Sequence, residues 1–109
     1  MNAEQLYEML KQSQEPKGYF LNADKKMTLE LIDGLLVNRT RYGYASCPCR
    51  LASGNRERDK DIICPCIYRE ADVRRYGQCF CALYLSSPSG TATEEIVVPE
   101  SRPPEKINL

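Results

Sequence analysis

Three cysteine pairs, each split by a single residue, constrain this chain more than anything else in it. Cys47-Pro48-Cys49 is followed after fourteen residues by Cys64-Pro65-Cys66, and after twelve more by Cys79-Phe80-Cys81. These are all 6 cysteines of the chain, and histidine is absent. Its absence excludes Cys2His2 zinc fingers, Ser-His-Asp or Cys-His catalysis and any histidine-based metal triad. Zinc ribbons and RING-type sites use Cys-x-x-Cys knuckles, whose two intervening residues let both sulfurs turn back onto one ion. One intervening residue tends to point consecutive sulfurs apart, the more so when it is proline with its fixed φ and missing N–H. Such pairs suit a site larger than one ion, or two sulfurs with different tasks.

The rest of the composition makes a sulfur-bound group more pressing. Leu, Ile, Val and Phe together supply 23 of 109 residues, barely above the level at which burial alone sustains a fold. No apolar stretch reaches ten residues, and the polar start Met1-Asn2-Ala3-Glu4-Gln5 has no basic export region. The expectation is a cytoplasmic protein without a membrane span. A reducing compartment does not maintain ordinary structural disulfides, so bound metal is the usual reason for six cysteines there. Fifteen basic and 15 acidic residues cancel, which argues against a histone-like nucleic-acid binder.

The pattern along the chain is mainly α, in one small domain. A first helix is expected from the candidate cap Asn2, with Leu6, Met9 and Leu10 on one face, ending before Pro16 and Gly18. A longer core helix starts after Asn22, carries the stripe Met27, Leu31, Ile32, Leu35 and Leu36, and closes at Tyr42-Gly43. A Gly54-Asn55 turn and a short charged helix would deliver Cys64. Residues 67–76, with Ile67 and Val73 apolar and Gly77 as the stop, read as another helix; Ala82-Leu83-Tyr84-Leu85 reads as a strand or buried extended chain. Residues 1–85 thus form the domain. Residues 86–109, rich in proline and serine, form an extended C-terminal tail in which Ile96-Val97-Val98 could clasp the domain or meet a partner.

Six thiols divide most economically into four ligands and one redox pair, since a [4Fe–4S] cluster takes four thiolates and the remaining two can alternate between dithiol and disulfide. Counting does not say which is which. A zinc-stabilised interaction module with two spare thiols satisfies the same count, whereas a simple iron–sulfur electron carrier needs no extra pair.

From about Asn22 to Leu85 the chain resembles the catalytic subunit of ferredoxin:thioredoxin reductase and its bacterial and archaeal ferredoxin:disulfide reductase relatives. The residues that carry the likeness are Tyr42-Gly43-Tyr44-Ala45-Ser46-Cys47-Pro48-Cys49-Arg50, Asp59-Lys60-Asp61-Ile62-Ile63-Cys64-Pro65-Cys66 and Tyr76-Gly77-Gln78-Cys79-Phe80-Cys81. The resemblance implies a helical domain whose cysteine-bearing loops surround a [4Fe–4S] cluster held by Cys47, Cys64, Cys66 and Cys79, with Cys49 and Cys81 as the redox-active disulfide. It implies ferredoxin, or a rubredoxin-like carrier, as electron donor and thioredoxin or a related protein disulfide as substrate. Ferredoxin gives single electrons and a disulfide needs two, so a cluster beside the disulfide avoids a free thiyl radical. In the implied cycle Cys49 attacks the target and forms a mixed disulfide, which Cys81, kept by the cluster until then, resolves.

Two departures accompany the likeness. The first gap between motifs is shorter and the second longer than in plant-type members, and Phe80 stands where those carry a histidine. Protons must then come from water or another group; Tyr44, Tyr68 and Tyr76 are candidates by composition. Plant-type enzymes also have a small barrel-like second subunit, which these residues leave open. Residues 39–75 carry nine basic and five acidic groups, so Arg50, Arg56, Arg58, Lys60, Arg69, Arg74 and Arg75 suggest a basic docking face for an acidic donor.

Overall fold

The computed structural model describes residues 1–88 and 97–107. Its first helix, α1 (Ala3–Gln14), begins at the expected cap. Asn2 accepts a hydrogen bond from the Gln5 N–H while its own N–H donates to the Gln5 side chain, both at 2.9 Å, a reciprocal capping box. Ala3, Leu6, Tyr7 and Leu10 turn toward the core. Met9, expected on that face, is 53% exposed, because the stripe centred on Leu6 and Leu10 leaves it about a quarter-turn outside at 100° per residue. A 3₁₀ turn over Glu15–Lys17 ends at Gly18, whose φ of 89° lets the chain reverse.

Strand β1 (Phe20–Leu21) and the long helix α2 (Lys25–Tyr42) follow. Asp24 caps α2 by accepting from the Met27 N–H, and Gly43 ends it in the left-handed conformation. The buried centre of α2 is Thr28, Ile32 and Leu35, with Leu31 packed alongside and Met27 and Leu36 only partly covered. Thr28 lies outside the hydrophobic pattern; it is fully buried because its hydroxyl lies 2.7 Å from the Asn22 carbonyl and 2.9 Å from that of Asp24.

Beyond α2 the chain is mostly loop, interrupted by α3 (Arg56–Asp59), a 3₁₀ turn over Lys60–Ile62 and α4 (Arg69–Tyr76). Helix α4 starts two residues later than the sequence suggests. Val73 is buried as expected, but Ile67 lies in the turn after Cys66 and is 67% exposed. Gly77 stops α4 with φ 79°. Strand β2 (Tyr84–Leu85) then pairs antiparallel with β1, Phe20 opposite Leu85 and Leu21 opposite Tyr84. The result is a mainly α, single-domain fold whose core, Leu21, Ile32, Leu35, Val73, Cys79, Leu83 and Tyr84, includes a cysteine. No helix among the described residues is long and apolar enough to cross a membrane.

The C-terminal segment returns to the loop side and ends in α5 (Pro104–Ile107). Of the expected apolar clasp, Val98 is buried, Val97 is 79% exposed and Ile96 lies outside the described residues. Charge does more of the fastening. Arg102, 4% exposed, donates to Asp61 at 3.0 Å and to Asp59 at 3.4 Å, and both carboxylates are buried. Asp59 also accepts from the Tyr44 hydroxyl and from Ser53, and Asp61 from the Tyr68 hydroxyl at 2.7 Å. These bonds outweigh burial and hold both carboxyls below their ordinary pKa.

Arg102→Met should therefore destabilise the fold by about 3–5 kcal/mol, the usual cost of leaving a buried charge unpaired. Because both folded-state pKa values are depressed, the ion pairing contributes above the carboxylates' unfolded pKa of about 4 and is lost as pH falls through the folded values. The gap between variant and parent in urea unfolding is expected to be full at pH 7 and to narrow toward acid pH; an equal gap at both would contradict this role for the ion pairs.

Candidate functional site

Two pieces of backbone pairing bring the cysteine motifs together. Ser46 and Ile63 form an isolated antiparallel bridge, with the Cys47 N–H donating to the Ile62 carbonyl at 2.8 Å and the Cys64 N–H to that of Ala45 at 2.9 Å. Cys47 and Cys64 thus start from adjacent strands. The third motif sits in a hairpin-like loop: the Cys79 N–H donates to the Tyr84 carbonyl and the Ser86 N–H to that of Gly77. Its tip is sharp enough to place Ala82 at φ 62°. Asn22, 1% exposed, holds that tip through its side-chain amide to the Ala82 carbonyl at 3.0 Å and its N–H to the Leu83 carbonyl at 2.9 Å.

Helix α2 supports the first motif. Asn38 donates to the Ser46 carbonyl at 3.0 Å, and a Cβ added at Gly34 would lie 3.0 Å from the Pro48 Cβ. A side chain there would crowd the Cys-Pro-Cys turn, which packs closely on the helix. The Cys64–Pro65 peptide bond in the second motif is cis.

All six cysteines are free thiols. Cys47, Cys64, Cys66, Cys79 and Cys81 line one small apolar cavity, together with Pro65, Phe80, Tyr84, Arg50 and Arg69. Cys49 is outside its wall and is the exposed cysteine of the six. It nevertheless interacts with Cys81, which lies 3.8 Å from Cys79 between sulfurs and near enough to Cys47 and Cys49 to shift the titration of both. Cys81 is therefore the junction between the cavity and the accessible thiol.

The protons distribute accordingly. The neighbouring Cys47, Cys49 and Cys79 sulfurs, with burial added, keep the Cys81 proton on well above the usual thiol range. Cys81 in turn lowers Cys47 to about 6, helped by the Cys49 N–H and the charge of Arg50 against the opposing effect of burial. The neighbouring Cys81 likewise lowers Cys79 to about 7, aided by the Tyr84 and Leu83 N–H groups, and also lowers Cys49. Burial pushes Cys64 and Cys66 up.

The basic docking face suggested by the sequence loses two members. Arg50 is 8% exposed and donates to Cys66 Sγ at 3.4 Å and Cys47 Sγ at 3.7 Å. Arg69 lies over the rings of Tyr19 at 3.7 Å and Tyr84 at 4.8 Å, and donates to Gln14 at 2.6 Å. Arg56, Arg58, Lys60, Arg74 and Arg75 remain exposed. Among the candidate tyrosine proton donors, Tyr44 and Tyr68 commit their hydroxyls to Asp59 and Asp61. Tyr84, which sequence pattern marks only as buried chain, is the tyrosine in the cavity wall, and its buried hydroxyl has no hydrogen-bond partner among the described residues. Burial, then the nearby charge of Cys64, pushes its pKa up, so it stays a donor.

Among the described residues, no three donors converge closely enough to enclose one ion. The sulfurs are spread around a wall instead. Four of them are cysteines of the expected ligand set, and Arg50 and the Tyr84 N–H donate toward those sulfurs. Soft donors, N–H···S bonds and an adjacent cation fit a thiolate-bound, negatively charged cluster. Of the residues that build this site, Glu100 and Arg102 are ones that sequence reasoning misses. Their signal is a charged pair at i and i+2 between Pro99 and Pro103, the spacing that puts both on one side of an extended chain.

The profile of the family described as "Ferredoxin thioredoxin reductase catalytic beta chain" matches residues 1–102. The chain is 30% identical over 81 residues to the "Ferredoxin-thioredoxin reductase, catalytic chain" of Porphyra purpurea, a stretch covering 72% of this chain and 64% of that one. It is 28% identical over 79 residues to the protein of the same description from Pyropia yezoensis, covering 71% and 65%. In both cases the matched part spans just under two thirds of the relative.

Exposure and charge together rank the thiols. In brief alkylation of the cluster-free, reduced protein at pH 7, Cys49 should be labelled first and Cys64 last, as read by peptide mass spectrometry. Equal labelling of the two would refute an exposed Cys49 and a shielded Cys64.

Proposed function

The chain belongs to the ferredoxin thioredoxin reductase catalytic beta chain family, and from that premise we propose that it is a ferredoxin-dependent disulfide reductase. In this reading Cys47, Cys64, Cys66 and Cys79 hold a [4Fe–4S] cluster, and Cys49 and Cys81 form the redox-active pair. The observation that carries it is the partition of the sulfurs: the four proposed ligands share one cavity wall, Cys49 stands outside and exposed, and Cys81 lies in that wall 3.8 Å from Cys79 while perturbing the Cys49 thiol.

When bound, the cluster stores and passes single electrons beside a disulfide that needs two. The chain's own residues carry out the exchange. Two electrons and two protons convert the Cys49–Cys81 disulfide to thiols. The Cys49 thiolate then attacks one sulfur of the target disulfide, expelling the other target sulfur as a thiolate and forming a mixed disulfide. Cys81 next attacks the Cys49 sulfur, expels the second target thiol and restores the intramolecular disulfide. Exposure suits Cys49 to meet a protein substrate, and burial suits Cys81 to wait. Water at the exposed Cys49 is the proton source on this path.

The substrate in this reading is thioredoxin or a related protein disulfide, and the donor is ferredoxin or a rubredoxin-like carrier. The exposed cations Arg56, Arg58, Lys60, Arg74 and Arg75 would steer an acidic donor. Residues 1–85 carry all six cysteines and the tail adds Glu100 and Arg102, which bind Arg50, Asp59 and Asp61, in a cytoplasmic, reducing setting.

Anaerobically purified protein is expected to be brown, with about four irons and four sulfides per chain. Cys49→Ser should keep that iron yet lose disulfide reduction entirely, while Cys64→Ser or Cys66→Ser should lose most of the iron and much of the fold. A colourless, zinc-loaded preparation would overturn the cluster; loss of iron from Cys49→Ser would overturn the division of roles.

A further inference from the structure

Arg50 is a buried cation held on three sides. Its Nη1 lies 3.4 Å from Cys66 Sγ and 3.7 Å from Cys47 Sγ. Its Nε is 2.9 and 3.0 Å from the two carboxylate oxygens of Glu100, and its Nη2 is 2.8 Å from one of them. The guanidinium is 4.4 Å from the centre of the Phe80 ring and 5.2 Å from that of Tyr68. Glu100 is itself oriented, since one of its oxygens also accepts the Arg102 N–H at 2.9 Å. Arg102 in turn is fixed on Asp59 and Asp61. Ser101 between them donates to Asp72 at 3.5 Å.

We propose that Glu100–Arg102 is a working part of the sulfur site: Glu100 seats Arg50 against Cys47 and Cys66, and the seated cation raises the reduction potential of the cluster those cysteines bind. The inference rests on the reading of Cys47 and Cys66 as cluster ligands. Reduction adds negative charge to the cluster, so a fixed cation and N–H···S bonds favour the reduced state and move the potential upward. A free arginine would not do this reliably, because its long side chain has many rotamers and a strong preference for water. Glu100 removes that freedom by taking one edge of the planar fork and leaving the other edge for sulfur. Phe80, lying between Cys79 and Cys81, supplies an aromatic surface on which a guanidinium rests favourably. Arg50 and Glu100 are thus positioning residues: neither is placed to touch the substrate disulfide.

The two effects open to Glu100 have opposite signs, which makes the idea testable. As a bare negative charge, Glu100 would lower the potential, and neutralising it would raise the potential. As the holder of Arg50, its neutralisation releases the cation and the potential falls. Redox titration of the cluster in the holoprotein, followed by its visible absorbance, should show a fall for Arg50→Gln and a smaller fall in the same direction for Glu100→Gln. Arg50→Lys should recover part of the loss, and Glu100→Gln should produce no further fall in the Arg50→Gln background. Iron content and the thermal midpoint check that the variants are folded and loaded. A rise or no change for Glu100→Gln, in variants that keep their iron, overturns this inference while leaving the proposed function standing. Parent protein that binds no iron or sulfide overturns the proposed function, and this inference with it.

Discussion

The antiparallel bridge between Ser46 and Ile63 is the contact on which the sulfur site depends. Cys47 and Cys64 follow directly from it, each donating its N–H across the pair. Because the bridge is a single residue pair, its own hydrogen bonds contribute little, about 1 kcal/mol each. What keeps it in place is the packing around it: Asn38 of α2 binds the Ser46 carbonyl, Pro48 rests on Gly34, and Ile62 is fully buried. The third motif joins through the hairpin tip that Asn22 secures. Helix α2 thereby positions all three motifs, directly through Gly34 and Asn38 and indirectly through the Asn22 turn before its first residue.

A domain with few large aliphatic residues must close its loop side by other means, and here it does so with charge. Arg50 and Arg102 are both buried, and each spans from a loop to another part of the chain: Arg50 from the first motif to Glu100, Arg102 from the tail to Asp59 and Asp61. Buried ion pairs offer little net stability compared with apolar packing, since desolvation offsets most of the attraction. Their benefit is directional. Planar guanidinium groups accept only certain arrangements of carboxylates, so they fix the relative placement of segments that lack regular secondary structure. The excess of basic residues between positions 39 and 75 therefore divides into interior arginines that hold the site and exterior cations available to a partner.

The helices are legible in the sequence because their signals are local. Asn2 with Gln5, Asp24 with Met27, Gly43 and Gly77 act within one turn of themselves, and the structure uses each at the expected place or within two residues of it. Where pattern and structure part, the cause is also local: Met9 and Ile67 are apolar, but a face a quarter-turn away or a late helix start leaves them in water. Strand β1 leaves no mark in the sequence, for two residues show no alternation; Phe20 and Leu21 become a strand only by meeting Tyr84 and Leu85. Tyr84 belongs to the core as its apolar neighbours suggest, yet it also lines the sulfur cavity.

By itself the sequence determined the family and the helical class, since the order of three single-spaced cysteine pairs and the local helix signals are both written in consecutive residues. Which sulfur stands outside the cavity, which arginine faces inward and which tail residue holds it were decided only by tertiary structure. The reason is the distance along the chain between partners. Arg50 and Glu100 are fifty residues apart, Asn22 and Ala82 sixty, and neither pair leaves a periodic mark that could tell an inward-facing charge from a solvated one.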